Sequence, residues 1–288
     1  MSIAERRVRG QCLRMWRRNF LQLAGWSAAC ACAPRAAQPG SPSVQPGSPA
    51  AQSTSHAGPP PAAPPGGVRA VAFDLFTIFD PRGVDRRVAA VVRDAPAAFA
   101  ATWKTRLFDY CWIRAAADRY APFDRLVDDS LTYAAHAHAV ELSPAMRAEL
   151  ADAFTALEPW PDAAAVLRDL RGRGLRLAPL ANFAPAMIDA LLRHGGVREL
   201  FETLISTDAA HSYKPHPRAY ALAESRFDLP RTQIAFAAFG GWDAAGGQWF
   251  GFPTFWVNRL AVAPEELTPP DATGPDLIHL AAWLTARG

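Results

Sequence analysis

Val71-Ala72-Phe73-Asp74-Leu75-Phe76-Thr77 is an apolar run that closes on a carboxylate. It begins just after a long tract of proline, glycine, serine and alanine. The run reads as the first, central strand of an α/β sheet, with Asp74 at its carboxyl end. Open α/β sheets place their chemistry in the crevice outside the carboxyl ends of the strands. A charged group at the tip of an apolar strand needs a partner. Two later stretches offer one, Tyr213-Lys214-Pro215-His216-Pro217 and Gly240-Gly241-Trp242-Asp243-Ala244-Ala245-Gly246. An aspartate after a strand can also do no more than cap a turn, and the two later motifs weigh against that reading.

Downstream the pattern changes. Residues 84–158 hold no convincing strand, and their spacing predicts four helices at 84–99, 101–120, 123–139 and 144–157. Ser143-Pro144 supplies an N-cap followed by proline at the first helical position. Alternation then resumes, with helices expected at 161–173, 185–194, 217–227, 243–250 and 276–286 and strands at 175–180, 203–206, 234–239 and 254–257. Strands alternating with helices imply a parallel sheet covered on both faces. The expected fold is α/β: a Rossmann-like parallel sheet with helices on both faces, built from residues 68–80 and 161–288. A helical cap, residues 81–160, would stand over the carboxyl edge of the sheet.

Ahead of this body lies a leader. Arg17-Arg18-Asn19-Phe20-Leu21 precedes a short apolar stretch, Leu23-Ala24-Gly25-Trp26-Ser27-Ala28-Ala29, too short to span a membrane as a mature helix. Positive flank, short apolar region and small residues describe an export signal over residues 1–33. The arginine pair resembles a twin-arginine signal, so the twin-arginine export machinery is an expected partner and the periplasm the expected location. A lipoprotein-type site ending at Cys30 or Cys32 would give a membrane-tethered form, although Ser27 and Ala29 stand where a large aliphatic residue is expected. A start at Met15 would leave a cytoplasmic protein with a basic extension. Residues 34–67 repeat Gln-Pro-Gly-Ser-Pro at 38–42 and 45–49. They offer too little apolar surface to offset their ordering entropy and read as a disordered linker.

The formal charge of +3 misleads, because residues 1–67 carry seven of the 30 lysines and arginines and one of the 27 acids. The remainder is net acidic and has no basic stripe, so no nucleic-acid partner is expected. Half the composition is apolar, enough for a substantial core. Cys12, Cys30 and Cys32 lie in the leader, which leaves Cys111 alone in the body and rules out an intrachain disulfide there. Cys111, within Tyr110-Cys111-Trp112-Ile113, reads as a packed thiol.

Asp74, Lys214 and Asp243 each follow or adjoin a predicted strand, and in a parallel sheet such loops converge. A carboxylate beside a lysine stays ionised at neutral pH and can attack carbon. A second carboxylate can hold the lysine or orient a water for a later hydrolysis. Asn182, in Leu180-Ala181-Asn182-Phe183, ends another strand and can donate its amide to a substrate anion or a leaving group. Phe76 stands two residues after Asp74. A magnesium-dependent phosphoryl-transfer site on this layout would want a carboxylate there, and an aromatic ring neither binds metal nor acts as an acid. No metal and no cofactor are expected, and a phosphatase is the least favoured reading. His136 and His138 fall on different helix faces, His211 and His216 read as loop residues, and Gly240-Gly241 with Gly246-Gly247 lacks dinucleotide spacing.

This layout resembles the haloacid dehalogenase superfamily and, within it, the L-2-haloacid dehalogenases, over roughly residues 68–270. The most specific pieces are Ala72-Phe73-Asp74-Leu75-Phe76, the stretch from Trp103 to Tyr120, and Tyr213-Lys214-Pro215 with Tyr220. Trp242-Asp243-Ala244-Ala245-Gly246 followed by Phe250-Gly251-Phe252-Pro253-Thr254 completes the set. The resemblance implies a metal-independent hydrolase that displaces halide from C2 of a short carboxylic acid through an aspartyl ester, which water then cleaves. It implies Asp74 as nucleophile, Lys214 as its charge partner, Asp243 as the carboxylate of the water site and Asn182 as an aid to halide departure. Phe108, Phe123 and Trp242 would form the alkyl pocket, and Lys104, Tyr220 and Thr77 would also bind the small-molecule acid. The chain departs from the family pattern Asp-x-Tyr-Gly-Thr by one residue, since Thr77 follows Asp74-Leu75-Phe76 directly. The halide-accepting arginine falls on Lys104, which lacks the bidentate fork. The serine before the asparagine is Ala181, and the Ser and Asn ahead of Trp242 are replaced within Ala238-Phe239-Gly240. The alternative, from another class, is an exported binding module that keeps the fold without turnover. A homodimer is a partnership that the sequence leaves open.

Overall fold

β1 (Ala70–Phe73) is buried at every position, as a central strand covered on both faces requires. The computed structural model describes residues 67–287. The export-signal and linker readings, on residues 1–66, lie outside the described residues. β1 pairs in parallel with β2 (Arg176–Ala181) on one side and with β4 (Ile234–Ala238) on the other, with Val71 opposite Leu177 and Ala235. Including β3 (Ile205–Ser206), β5 (Thr254–Val257) and β6 (Ala272–Gly274), the sheet runs β3-β2-β1-β4-β5-β6, all parallel. Chain order reverses on either side of β1. The carboxyl end of β1 is therefore the switch point of the sheet, where neighbouring loops part and leave a crevice.

Alternation along β1 divides the core. Val71 and Phe73 enter a cluster with α5 (Ala163–Gly172), α6 (Pro185–His194) and α9 (Leu277–Thr285). Ala70 and Ala72 face α7 (Pro217–Phe227) and α8 (Gly241–Phe250), where the small alanines leave room for Tyr220, Phe227, Phe236 and Phe252. β6 escapes the sequence pattern because three residues are too few to show a period. It pairs with β5 through Thr273 and Gly274.

Between β1 and β2 the chain forms α1 (Arg82–Val91), α2 (Pro96–Ala116), α3 (Phe123–His138) and α4 (Pro144–Ala151). The predicted helix at 84–99 breaks in the middle. Val92 is extended, Ala95 adopts a left-handed conformation at φ 46°, and Pro96 opens the next helix. A residue before proline avoids the helical region, so Phe99 belongs to α2. Ser143 caps α4 by accepting the Met146 N–H at 3.2 Å.

The two chain crossings into and out of this helical block are pinned together. The Asp80 N–H donates to Glu158 O at 2.9 Å, the Trp160 N–H to Ile78 O at 2.8 Å, and the Trp160 indole to Phe76 O at 3.0 Å. The Arg259 side chain, 5% exposed, donates twice to Thr77 O and spans both oxygens of Asp162.

Candidate active site

The Asp74 N–H continues the ladder to Ala237 O at 2.9 Å, and the chain then leaves β1 in a single 3-10 turn, Leu75–Thr77. Asp74 caps that turn: Oδ1 accepts the Phe76 N–H at 2.8 Å. Oδ2 is left free of the backbone and accepts the Lys214 ammonium at 2.8 Å. Lys214 is 1% exposed, and its Nζ also donates to Asp243 Oδ2 at 2.7 Å. The face of the Phe236 ring lies 5.2 Å beneath it. Asp243, in the first turn of α8, is wholly buried, and its Oδ1 accepts the Tyr220 hydroxyl at 2.7 Å. A side chain at Gly246 would collide with that hydroxyl, so glycine is what lets α8 seat against α7.

Burial dominates the electrostatics of this array. It pushes the Asp243 carboxyl up to about 6, against the opposing pull of the Lys214 charge. Burial alone would lower Lys214, but Asp243 and Asp74 outweigh it and hold the ammonium above its ordinary range. Tyr220 is driven well above a normal phenol by burial and then by the Asp243 charge. At neutral pH the array is therefore a charged lysine, with Asp243 ionised and Tyr220 a neutral donor.

Asp74 opens onto a cavity of about 250 Å³. Lys104, Phe108, Phe123, Asn182 and Trp242 stand on its walls. The Asn182 Oδ1 accepts the Lys214 N–H at 2.9 Å and the Thr207 hydroxyl at 3.3 Å, which turns the amide NH₂ toward the cavity. Lys104 Nζ is bound to Asp85 Oδ1 of α1 at 2.5 Å, so its charge reaches the cavity already shared with a carboxylate.

Residues 68–251 match the haloacid dehalogenase-like hydrolase family. The chain belongs to that family. The (S)-2-haloacid dehalogenase of Pseudomonas sp. (strain YL) is 36% identical over 201 residues, 69% of this chain and 87% of that protein. Haloacetate dehalogenase H-2 of Moraxella sp. (strain B) is 34% identical over 223 residues, 75% of this chain and 98% of that protein. The L-2-haloacid dehalogenase of Xanthobacter autotrophicus, solved with chloropropionic acid covalently bound, superposes with a TM-score of 0.71. It is 29% identical and covers 77% of this chain and 100% of its own.

Within this haloacid dehalogenase-like hydrolase, three residues stand elsewhere than the resemblance implied. Thr77 is wholly buried and does not line the cavity, because the shortened turn folds its hydroxyl back onto Asp74 O at 2.6 Å. Tyr220 is also wholly buried, with its hydroxyl behind Asp243 and away from the cavity wall. Asp243 itself has no face on the cavity, and each of its side-chain oxygens already takes a donor. The geometry shows it holding the lysine, one of the two roles open to the second carboxylate.

The haloacid dehalogenase-like site also contains residues that sequence reasoning missed. Phe76, Phe154, Phe183 and Phe239 line the cavity. Phe183 stacks on Phe123 at 4.7 Å, and Phe76 sets its ring edge-to-face with Phe183 at 5.9 Å and with Phe239 at 5.7 Å. A usable signal existed for two of them: Phe183 and Phe239 closely follow the strand ends of β2 and β4, on the edge where ligands sit. Phe154 carries no such signal, since an aromatic in a helical block reads as packing.

Proposed function

We propose that the protein is a 2-haloacid dehalogenase working through an ester on Asp74. A carboxylate oxygen of Asp74 attacks C2 of the acid opposite the halogen. The carbon–halogen bond breaks with its electron pair, and halide departs as the carbon–oxygen bond forms. Water then attacks the acyl carbon of Asp74 and the acyl–oxygen bond breaks. The 2-hydroxy acid leaves, one proton passes to solvent, and a water oxygen remains on Asp74.

One observation carries this reading. Asp74 sits at the edge of a largely apolar cavity with one oxygen fixed by a buried lysine that Asp243 locks in place. The fixed ammonium offsets the carboxylate charge without shielding it in water, and a carboxylate with little hydration is a competent nucleophile. The Asn182 amide, turned toward the cavity, is a donor for the departing halide. The Phe76 ring occupies the position where a phosphoryl-transfer site would place a second carboxylate. An intact Asp74–Lys214–Asp243 array argues for turnover over the binding-module reading.

The test is halide release from a panel of 2-halo acids by the purified protein. Release that persists in excess chelator, and that falls by about four orders of magnitude in Asp74→Asn, is the expected result. Full activity in Asp74→Asn, or loss on chelation restored by magnesium, contradicts it. The leader supports a further reading, that the enzyme acts outside the cytoplasm after twin-arginine export, on the strength of Arg17-Arg18 and the short apolar run behind them.

A further inference from the structure

The size and lining of the cavity bear on which acid it takes. An apolar cavity of roughly 150 Å³ is enough to hold a benzene ring, and chloropropionate is no larger than that ring. The cavity beside Asp74 is about 250 Å³. A chloropropionate-sized acid would leave roughly 100 Å³ of it unfilled by substrate, by the same yardstick, and apolar wall left facing water forgoes the gain of burial.

Much of the cavity wall is aromatic. Phe76, Phe123 and Phe183 form one wall as a stacked and edge-to-face set. Phe108 and Trp242, with ring centres 5.9 Å apart, form another. Polar atoms are few: the Asp74 carboxylate, the Asn182 amide and Lys104. Ala181 and Gly240 also stand on the wall and bring no polar side-chain atom to it, and the Trp242 ring packs over Gly240.

We infer that this site takes 2-halo acids bearing an aryl ring, or an alkyl group of that bulk, on C2. The ring lies between the two aromatic walls while C2 meets Asp74. This rests on the dehalogenase reading above and names its substrate class. Aromatic pairs prefer edge-to-face and offset contacts with each other, and a ring between these walls has both on offer.

The experiment compares 2-chloro-2-phenylacetate with 2-chloropropanoate as substrates of the full chain. A ring beside C2 also speeds displacement chemically, so the same assay measures competitive inhibition by the halogen-free acids phenylacetate and propanoate. The expected result is halide release with phenylacetate inhibiting at least tenfold more tightly than propanoate, the scale set by a few methylenes in a fitted apolar pocket. Phe108→Ala, at a half-buried position on α2, should cut that preference severalfold while the protein stays folded by circular dichroism. Halide release with propanoate inhibiting as well as phenylacetate overturns the inference and leaves the dehalogenase reading standing. No halide from either acid overturns that reading, and the inference falls with it.

Discussion

Asp74 uses its two oxygens differently. Oδ1 caps the turn after β1, and Oδ2 faces the Lys214 ammonium. Turn-capping and chemistry, rivals when only the sequence is read, are both present in one side chain, because the cap fixes the carboxylate plane that the lysine then meets. Lys214 is held from the other side by Asp243, whose carboxyl is pushed up to about 6 by burial. Above about pH 6 Asp243 is ionised and holds the ammonium; below it the carboxyl takes a proton and that hold weakens. The kcat profile should therefore bend downward on the acid side near pH 6. Asp243→Asn, uncharged and of the same shape, should flatten that limb and lower kcat by roughly 100-fold, the scale for losing one preorganised electrostatic group. A wild-type profile level from pH 5 to 7 speaks against the assignment.

At the scale of elements, the strands and the three charged residues they deliver were legible because both follow simple rules. An apolar run that stops at a polar residue marks a strand end, and parallel strand ends gather on one edge. Asp74, Lys214 and Asp243 lie far apart in the chain yet meet within hydrogen-bonding distance through Lys214. Beyond the short strand β6 and the break before Pro96, what escaped depends on side-chain packing. Thr77 and Tyr220 have the residue types of a substrate site, but a turn one residue shorter and the depth of α7 take them out of the cavity. Phe154 looks like any core aromatic until the cavity is in view. Arg259 escaped for a similar reason. It lies outside every predicted strand and helix, yet its guanidinium is buried between Thr77 O and Asp162, where it ties the exit of β1 to the start of α5. Removing one partner of a buried pair strands the other, at a cost of about 3–5 kcal/mol. Arg259→Leu should lower unfolding stability by that amount in urea titrations, and an unchanged midpoint shows the clamp to be dispensable.

For the whole molecule, the body is a haloacid dehalogenase-like hydrolase whose sheet switch point carries Asp74, and the leader is proposed to be a separate export signal. The proposed export makes a plain prediction. Replacing Arg17 and Arg18 together with lysine keeps the charge but removes the arginine pair, so fractionated cells should retain the protein in the cytoplasm. Export undiminished by the double replacement refutes a twin-arginine route. The central claim, that Asp74 is esterified during turnover, is tested in a single turnover in heavy-oxygen water, with enzyme in excess over a 2-halo acid. Mass analysis of the peptide carrying Asp74 should find the heavy oxygen on that carboxylate and the first 2-hydroxy acid released without it. Heavy oxygen in the product, with Asp74 unlabelled, would mean that water attacks C2 directly and that Asp74 is not the nucleophile.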